Sequence, residues 1–550
     1  MNRINIYLLF LILIGFTSCE TQTKGNSQAE EQTETGETDL VDVDKYVNVK
    51  LTSDLSLLED YEKNMIPHLI EAAKIMDDLF WVQAYGDKEE LLKDLDPDEQ
   101  IYATINYGPW DRLNGDEPFL TDFGSKSAGA NMYPYGVSKK EIVASGIDSF
   151  GQYSMVRKDS TGQLFTIPYH EFFGEQLAIA ALHLVEASKI CEEPSLKEYL
   201  ELRAEALLTD DFTDSDIAWL KMKNNGIDII IGPIENYEDK IYNARNSYES
   251  YVLIKDKVWS KKLEKFALFL PELQSSLPVE AKYKTESPGT ESQLNAYDVV
   301  YYAGDCNAGS KTIAVNLPND EKLQTNYGTR RSQLKNAMKA KFDHILVPIS
   351  EELIHPDQRK HITFDAFFAN TMFHEVAHGL GVKYVIGGNG KTVKEALQEE
   401  HSPLEEGKAD ILGLYMVTYL RAHGHLTEGE LMDNYVTFLG SIFRSVRFGA
   451  SSAHGKANMV RFNFFREKGA FVYENGVYRV DMDKMKQAMN ELSALIIQLQ
   501  GDGDKAGVEK LMEEKGMVTE DLQSDLDRLK EEGIPVDIVF EQGLDVLGYK

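Results

Sequence analysis

The sequence predicts an α+β protein with two lobes, a mixed lobe built around a small β-sheet and a mainly helical lobe after it. Three observations carry this reading. β-Branched and aromatic runs cluster between residues 226 and 317, where GIDIIIGPIE (226–235), SYVLIK (250–255), DVVYYAG (298–304) and TIAVNL (312–317) read as strands. Apolar residues at helical spacing cover about 54–84, 170–190, 196–208, 215–223 and 260–270. After Gln333 the pattern turns almost wholly helical, broken by AFVYENGVYRVDM (470–482), whose Asn475-Gly476 suits a tight hairpin turn.

The ends of the chain set the organisation. MNRINIYLLFLILIGFTSC opens with Arg3, an apolar run over 4–16 and small residues leading to Cys19. That run is short for a membrane span and has the layout of a secretory signal. FTSC resembles a bacterial lipobox, so residues 1–18 are expected to be a signal peptide and Cys19 a lipidated residue that holds the protein on a membrane surface of the bacterial cell envelope. The acidic stretch after it, to about residue 45, has almost no large apolar side chains and reads as a flexible tether. The mixed lobe is then expected over 46–332 and the helical lobe over 333–550.

Composition narrows the partners. With 90 acidic against 57 basic residues the formal charge is -33, a surface that repels phosphate backbones and excludes nucleic acid as a partner. Hydrophobic residues make up 43% of the chain, enough for a sizeable core. Beyond Cys19 only Cys191 and Cys306 remain, which rules out a disulfide-built scaffold and leaves two free, buried thiols as the expectation. A monomer is expected.

Two segments carry the chemistry. In FHEVAHGLG (373–381), His374 and His378 stand four apart, so a helix places both imidazoles on one face, about 5–6 Å apart at Cβ. Glu375 lies one position round, close enough to reach a water beside a metal without being a ligand. Phe373, Val376, Ala377 and Leu380 form the face that would pack into the lobe. The second segment, PLEEGKADILGLYMVTYL (403–420), is a helix pattern with Glu405, Glu406 and Asp410 at its start. Acidic residues there also complement a helix dipole. Two histidines and Glu406, with a fourth position open, nevertheless make a catalytic zinc set. Glu405 and Asp410 are then expected to accept the outer N–H of the two histidines.

H-E-x-x-H followed by E-E-x-[RK]-A-D resembles the dipeptidyl peptidase III family of zinc metallopeptidases, and EEGKAD (405–410) fits the second motif. The first departs, because most members insert one residue to give H-E-x-x-G-H where this chain has HEVAH. The resemblance also covers IGPIENYEDKIYNARNSYESYV (231–252), AGDCNAGSKTIAVNLPND (303–320) and SSAHGKAN (451–458). YGPWDRLNG (107–115) and TIPYHEFF (166–173) look like a branch in which some members carry a Nudix domain; no Nudix box occurs here. The likeness spans roughly residues 100 to 470.

This resemblance implies two lobes around a wide cleft, one zinc ion per chain and release of dipeptides from the free N-terminus of oligopeptides. It implies that Glu375 is the general base and that Tyr237 and His454 stabilise the oxyanion. It further implies that Glu235, Asn316 and Asn319 capture the substrate's α-ammonium. Read without it, Tyr237 is a packing residue, Asn316 and Asn319 flank a turn at Pro318, Glu235 is solvated at a strand end and His454 starts a helix. Two alternatives stay open: a thermolysin-like endopeptidase, and a non-catalytic lipoprotein that binds peptides around a structural metal.

Overall fold

The computed structural model describes residues 41–288, 292–447, 449–450 and 452–549. The expected signal peptide, Cys19 and the tether up to residue 40 lie outside them. No described helix is long and apolar enough to cross a membrane.

The first strand, β1 (Tyr46–Lys50), leads into the long helix α1 (Asp60–Ala84). Apolar spacing alone would start this helix at about residue 54. It starts at Asp60 because Glu59 and Glu62 form a reciprocal capping box that satisfies the first free N–H groups. One face of α1 packs on α2 (Gly174–Ile190) and on the sheet.

The four predicted strand runs, with a fifth strand at Thr329–Leu334 that the sequence pattern did not signal, form one five-stranded sheet. In chain order its strands are β2 (Ile227–Glu235), β3 (Ser247–Lys255), β4 (Ser292–Gly304), β5 (Ala314–Leu317) and β6 (Thr329–Leu334). Spatially they run β2-β3-β4-β6-β5, with β4 and β6 parallel and the other neighbours antiparallel. Nearly all of β2 and β3 is buried, which is why Ile229–Ile231 is apolar without alternation and why the one charge inside β2, Asp228, is paired with Arg330 at 3.0 Å. β5 is an edge strand, and Leu317-Pro318 leaves it through a cis peptide bond.

Beyond the sheet the chain is mainly helical: α3 (Phe364–Ala377), α4 (His401–Ala422), α5 (Leu431–Val446), α6 (Ala453–Glu467) and α7 (Met482–Asp502). The predicted hairpin is present as Phe471–Glu474 and Val477–Val480, with Asn475 and Gly476 both at positive φ as the tight turn requires. Several strands were not expected, among them β1, β6 and the antiparallel pair Ser154–Lys158 and Leu164–Pro168, and one more joins the two ends of the body. β7 (Asp537–Glu541) returns from the helical region and pairs in parallel with β1, Tyr46 opposite Asp537. It buries Ile538 and Phe540, so both ends of the body close on one two-stranded ladder. Cys191 and Cys306 are free and buried, as expected.

Candidate metal centre and substrate cleft

Helices α3 and α4 meet at very close range. A Cβ at Gly413 would stand 2.8 Å from the backbone nitrogen of His374 and 3.0 Å from the carbonyl carbon of Phe373. Only glycine permits that approach, and it brings the start of α4 against the end of α3. Thr363 caps α3 by accepting from the N–H of Ala366. Phe373, Val376, Ala377 and Leu380 are all buried, as their face of the helix predicts. Regular helix ends at Ala377, but His378 keeps right-handed backbone (φ -56°, ψ -28°), so the one-turn spacing of the two histidines survives.

The two imidazoles are oriented from behind. Nδ1–H of His374 donates to Asp410 Oδ1 at 2.7 Å, and Nδ1–H of His378 donates to Glu405 Oε1 at 2.9 Å. Both Nε2 lone pairs therefore face forward, toward Glu406. Glu406 Oε2 lies 3.4 Å from His374 Nε2 and 3.9 Å from His378 Nε2. Bonds of about 2.0–2.2 Å to a tetrahedral ion separate neighbouring ligand atoms by about 3.3–3.6 Å, so this spacing fits a metal. Glu406 Oε2 is buried and has no hydrogen-bond partner. A buried carboxylate oxygen facing two imidazole lone pairs is costly unless a cation sits among them.

The orienting carboxylates are themselves held. Lys408 Nζ sits 2.7 Å from Glu405 Oε1, and Gln500 of α7 donates to Glu405 Oε2 at 2.9 Å. Arg461 of α6 pairs with Asp410. Burial works against both carboxylates, yet Lys408 and His378 keep Glu405, and Arg461 and His374 keep Asp410, far below the usual carboxylate range. Arg461 and Gln500 are not signalled by the sequence as parts of a site, and Lys408 is signalled only as the basic position of the second motif. Arg461 lies seven residues after His454, two turns along one helix.

A cavity of about 410 Å³ opens beside these groups, with His374, Glu375, His454 and Arg461 in its wall together with Ile313 and Ala314 from the start of β5. His454 is the second residue of α6, largely exposed, with Nδ1 3.3 Å from Glu406 Oε2. Glu375 is half-buried, and its main-chain carbonyl accepts a hydrogen bond from Arg331 of β6. Arg331 is paired across the sheet with Asn316 of β5. One strand thus connects the predicted asparagine to the metal helix.

A second cluster sits at the end of β2. Asn319 Nδ2 donates to the carbonyl of Ile234 at 3.2 Å, which fixes the loop after the cis proline against β2. Burial raises the pKa of Glu235, although Asn319 and Tyr237 beside it oppose the shift. Tyr237 is 68% exposed and stands with Glu235; among the described residues it makes no contact with the metal-binding cluster. The structure therefore gathers His374, His378, Glu375, Glu405, Glu406, Asp410 and His454 in one place, Glu235, Tyr237 and Asn319 in another, and Asn316 on the strand between.

Two helix-borne histidines, a facing glutamate, the acid Glu375 beside them and an open cleft define a metallopeptidase. Comparison with known proteins agrees. Residues 141–384 match the family described as "Peptidase family M49". A solved structure titled "Structure of DPP III from Caldithrix abyssi" superposes with a TM-score of 0.87 at 36% identity, covering 92% of this chain and 99% of that one. "Structure of dipeptidyl-peptidase III from Corallococcus sp. strain EGB" superposes with a TM-score of 0.76 at 36% identity, covering 90% and 95%. "Nudix hydrolase 3" of Arabidopsis thaliana is 34% identical over 561 residues, 90% of this chain and 72% of that protein. The chain belongs to peptidase family M49, the dipeptidyl peptidase III family, and has its two-lobed fold.

Proposed function

We propose that the protein releases dipeptides from the free N-terminus of oligopeptides, with one zinc ion held by His374, His378 and Glu406. The observation that carries this is Oε2 of Glu406, buried and without a hydrogen bond, facing both imidazole Nε2 atoms. Zinc, when bound, supplies Lewis-acid polarisation of the scissile carbonyl and acidifies the adjacent water. Glu375 takes a proton from the attacking water and passes it to the leaving amine. His454 and Tyr237 stabilise the developing oxyanion. Because Tyr237 stands beside Glu235, that role requires the cleft to close over the bound peptide.

Glu235, Asn316 and Asn319 take the substrate's α-ammonium, and fixing it there sets the cut two residues in. The exposed edge of β5 offers unpaired backbone groups along which an extended peptide can pair. In this reading residues 46–332 bind substrate and 333–550 carry the metal. The leader supports a further proposal, a lipid on Cys19 that places the enzyme in the bacterial cell envelope; Cys19→Ala then moves it from the membrane fraction to the soluble one.

Mass spectrometry of products from defined peptides of four to ten residues, with free and acetylated N-termini, tests the proposal. Dipeptides released from free N-termini alone support it. Internal cuts that ignore acetylation favour the thermolysin-like endopeptidase and sink the amine-capture role of Glu235. No cleavage at all leaves the peptide-binding lipoprotein.

A further inference from the structure

The cavity beside the metal centre continues away from it along one face of α3, where His374, Thr371, Asn370 and Phe367 succeed each other at helical spacing. Phe367 lies about 10 Å from His374 along the helix axis at 1.5 Å per residue. The opposite wall is α5, and from it Arg444 enters the cavity with its guanidinium 5.8 Å from the Phe367 ring centre.

Arg444 differs from the arginines around it. Arg461 is paired with Asp410, Arg331 donates to the carbonyl of Glu375, and Arg447 donates to the carbonyls of Ile534 and Pro535 at 2.8 and 2.7 Å. Arg444 makes no ion pair or hydrogen bond among the described residues, and its Nε is buried without a partner. Asp537 lends it some field but is itself paired with Lys341 at 3.0 Å. A half-buried guanidinium whose Nε is buried without a partner, and whose other donors are open to the cavity, is suited to an anion, and its planar fork matches a carboxylate.

We infer that Arg444 binds the C-terminal carboxylate of short peptides and makes the enzyme selective for substrates of about four to five residues. The inference rests on the proposed release of N-terminal dipeptides. An extended chain spans about 3.3–3.6 Å per residue, so a leaving group of two or three residues reaches about 7–11 Å beyond the cut. That matches the distance along α3 from His374 to the residue under Arg444. Longer peptides pass the guanidinium with no carboxylate to offer, and their backbone carbonyls are weaker partners.

The test uses one tetrapeptide with a free N-terminus, made as C-terminal acid and as amide, and a ten-residue pair made the same way. KM and kcat are measured for the wild type, R444K and R444M. The wild type is expected to favour the tetrapeptide acid over the amide by about 10- to 100-fold, mostly in KM, as a charge-assisted hydrogen bond would give. R444M brings that ratio near one, R444K keeps part of it, and the ten-residue pair shows no preference. A wild-type ratio near one overturns the inference. So does an R444M variant that loses acid and amide alike, because that is the mark of a packing role. If the wild type releases no dipeptide from any of these peptides, the proposed function falls and takes the inference with it.

Discussion

Replacing Gly413 by alanine tests whether the contact of α3 with α4 sets the metal centre. The added methyl would meet the nitrogen of His374 at 2.8 Å, the carbonyl carbon of Phe373 at 3.0 Å and the Cα of His374 at 3.1 Å. All three atoms belong to helix backbone, which cannot turn aside as a side-chain tip can. Ordinary contact begins at 3.4 Å, so the helices must part by about half an ångström. Overpacking of this kind costs about 1–3 kcal/mol. It also carries His374 away from Glu406, and displacements near 0.5 Å exceed what a preorganised site tolerates. Zinc affinity, measured by competition with a chromophoric chelator, is expected to fall about tenfold or more, together with kcat/KM and Tm. Gly407→Ala is the control on the same helix. Its methyl would meet only Ile496 Cδ1 at 3.7 Å and Ala457 Cβ at 3.8 Å, so it is accommodated and gains up to about 1 kcal/mol of helix propensity. Gly413→Ala with wild-type Tm and zinc affinity would mean that this helix contact does not set the metal centre.

Glu375→Gln removes the proposed base but not a ligand, so zinc content is expected to stay at one per chain while kcat falls by at least about 10²- to 10⁴-fold; residual kcat near wild type would displace Glu375 from its role. Asp410→Asn leaves His374 without its orienting anion and Arg461 without its partner, and chelator competition should show zinc bound about 10- to 100-fold more weakly. Asp305 gives a pH prediction. Burial, then Glu238, push its pKa from 3.8 to about 7, and its Oδ2 is buried without a hydrogen bond. Between those values the folded state holds a proton that the unfolded state has lost, so this contribution to stability is present below 3.8 and is lost as pH rises toward about 7, by at most about 1.4 kcal/mol per pH unit. Asp305→Asn is expected to flatten that slope, and denaturant unfolding at pH 5 and pH 8 should show the variant gaining on the wild type at the higher pH; equal differences at both would contradict the assignment.

Local chemistry made the candidate metal centre legible. His374, Glu375 and His378 declare themselves because a helix fixes their geometry over five residues, and Glu405, Glu406 and Asp410 sit within one further helical segment. The sheet was legible in part for a related reason, since its buried strands are rich in β-branched and aromatic residues, although Asp228 and Glu249 are buried within them. β7 was not, because a five-residue strand after a series of helices has meaning only through β1, at the other end of the body. Arg461, Gln500 and the pairing of Lys408 were missed because charge compensation of a buried carboxylate is a tertiary matter, and surface solvation is the default for such residues. Glu235, Tyr237 and Asn319 were found only through family resemblance. Nothing in their spacing shows that the loop after Pro318 folds back onto the end of β2.

Anomalous diffraction at the zinc absorption edge, from crystals of the protein as purified, locates the metal itself. One peak is expected, about 2.0–2.2 Å from His374 Nε2, His378 Nε2 and an oxygen of Glu406. A crystal that diffracts well with no peak there, or with its peak instead at the other carboxylate–histidine group formed by His361, Glu430 and Asp433, would contradict it.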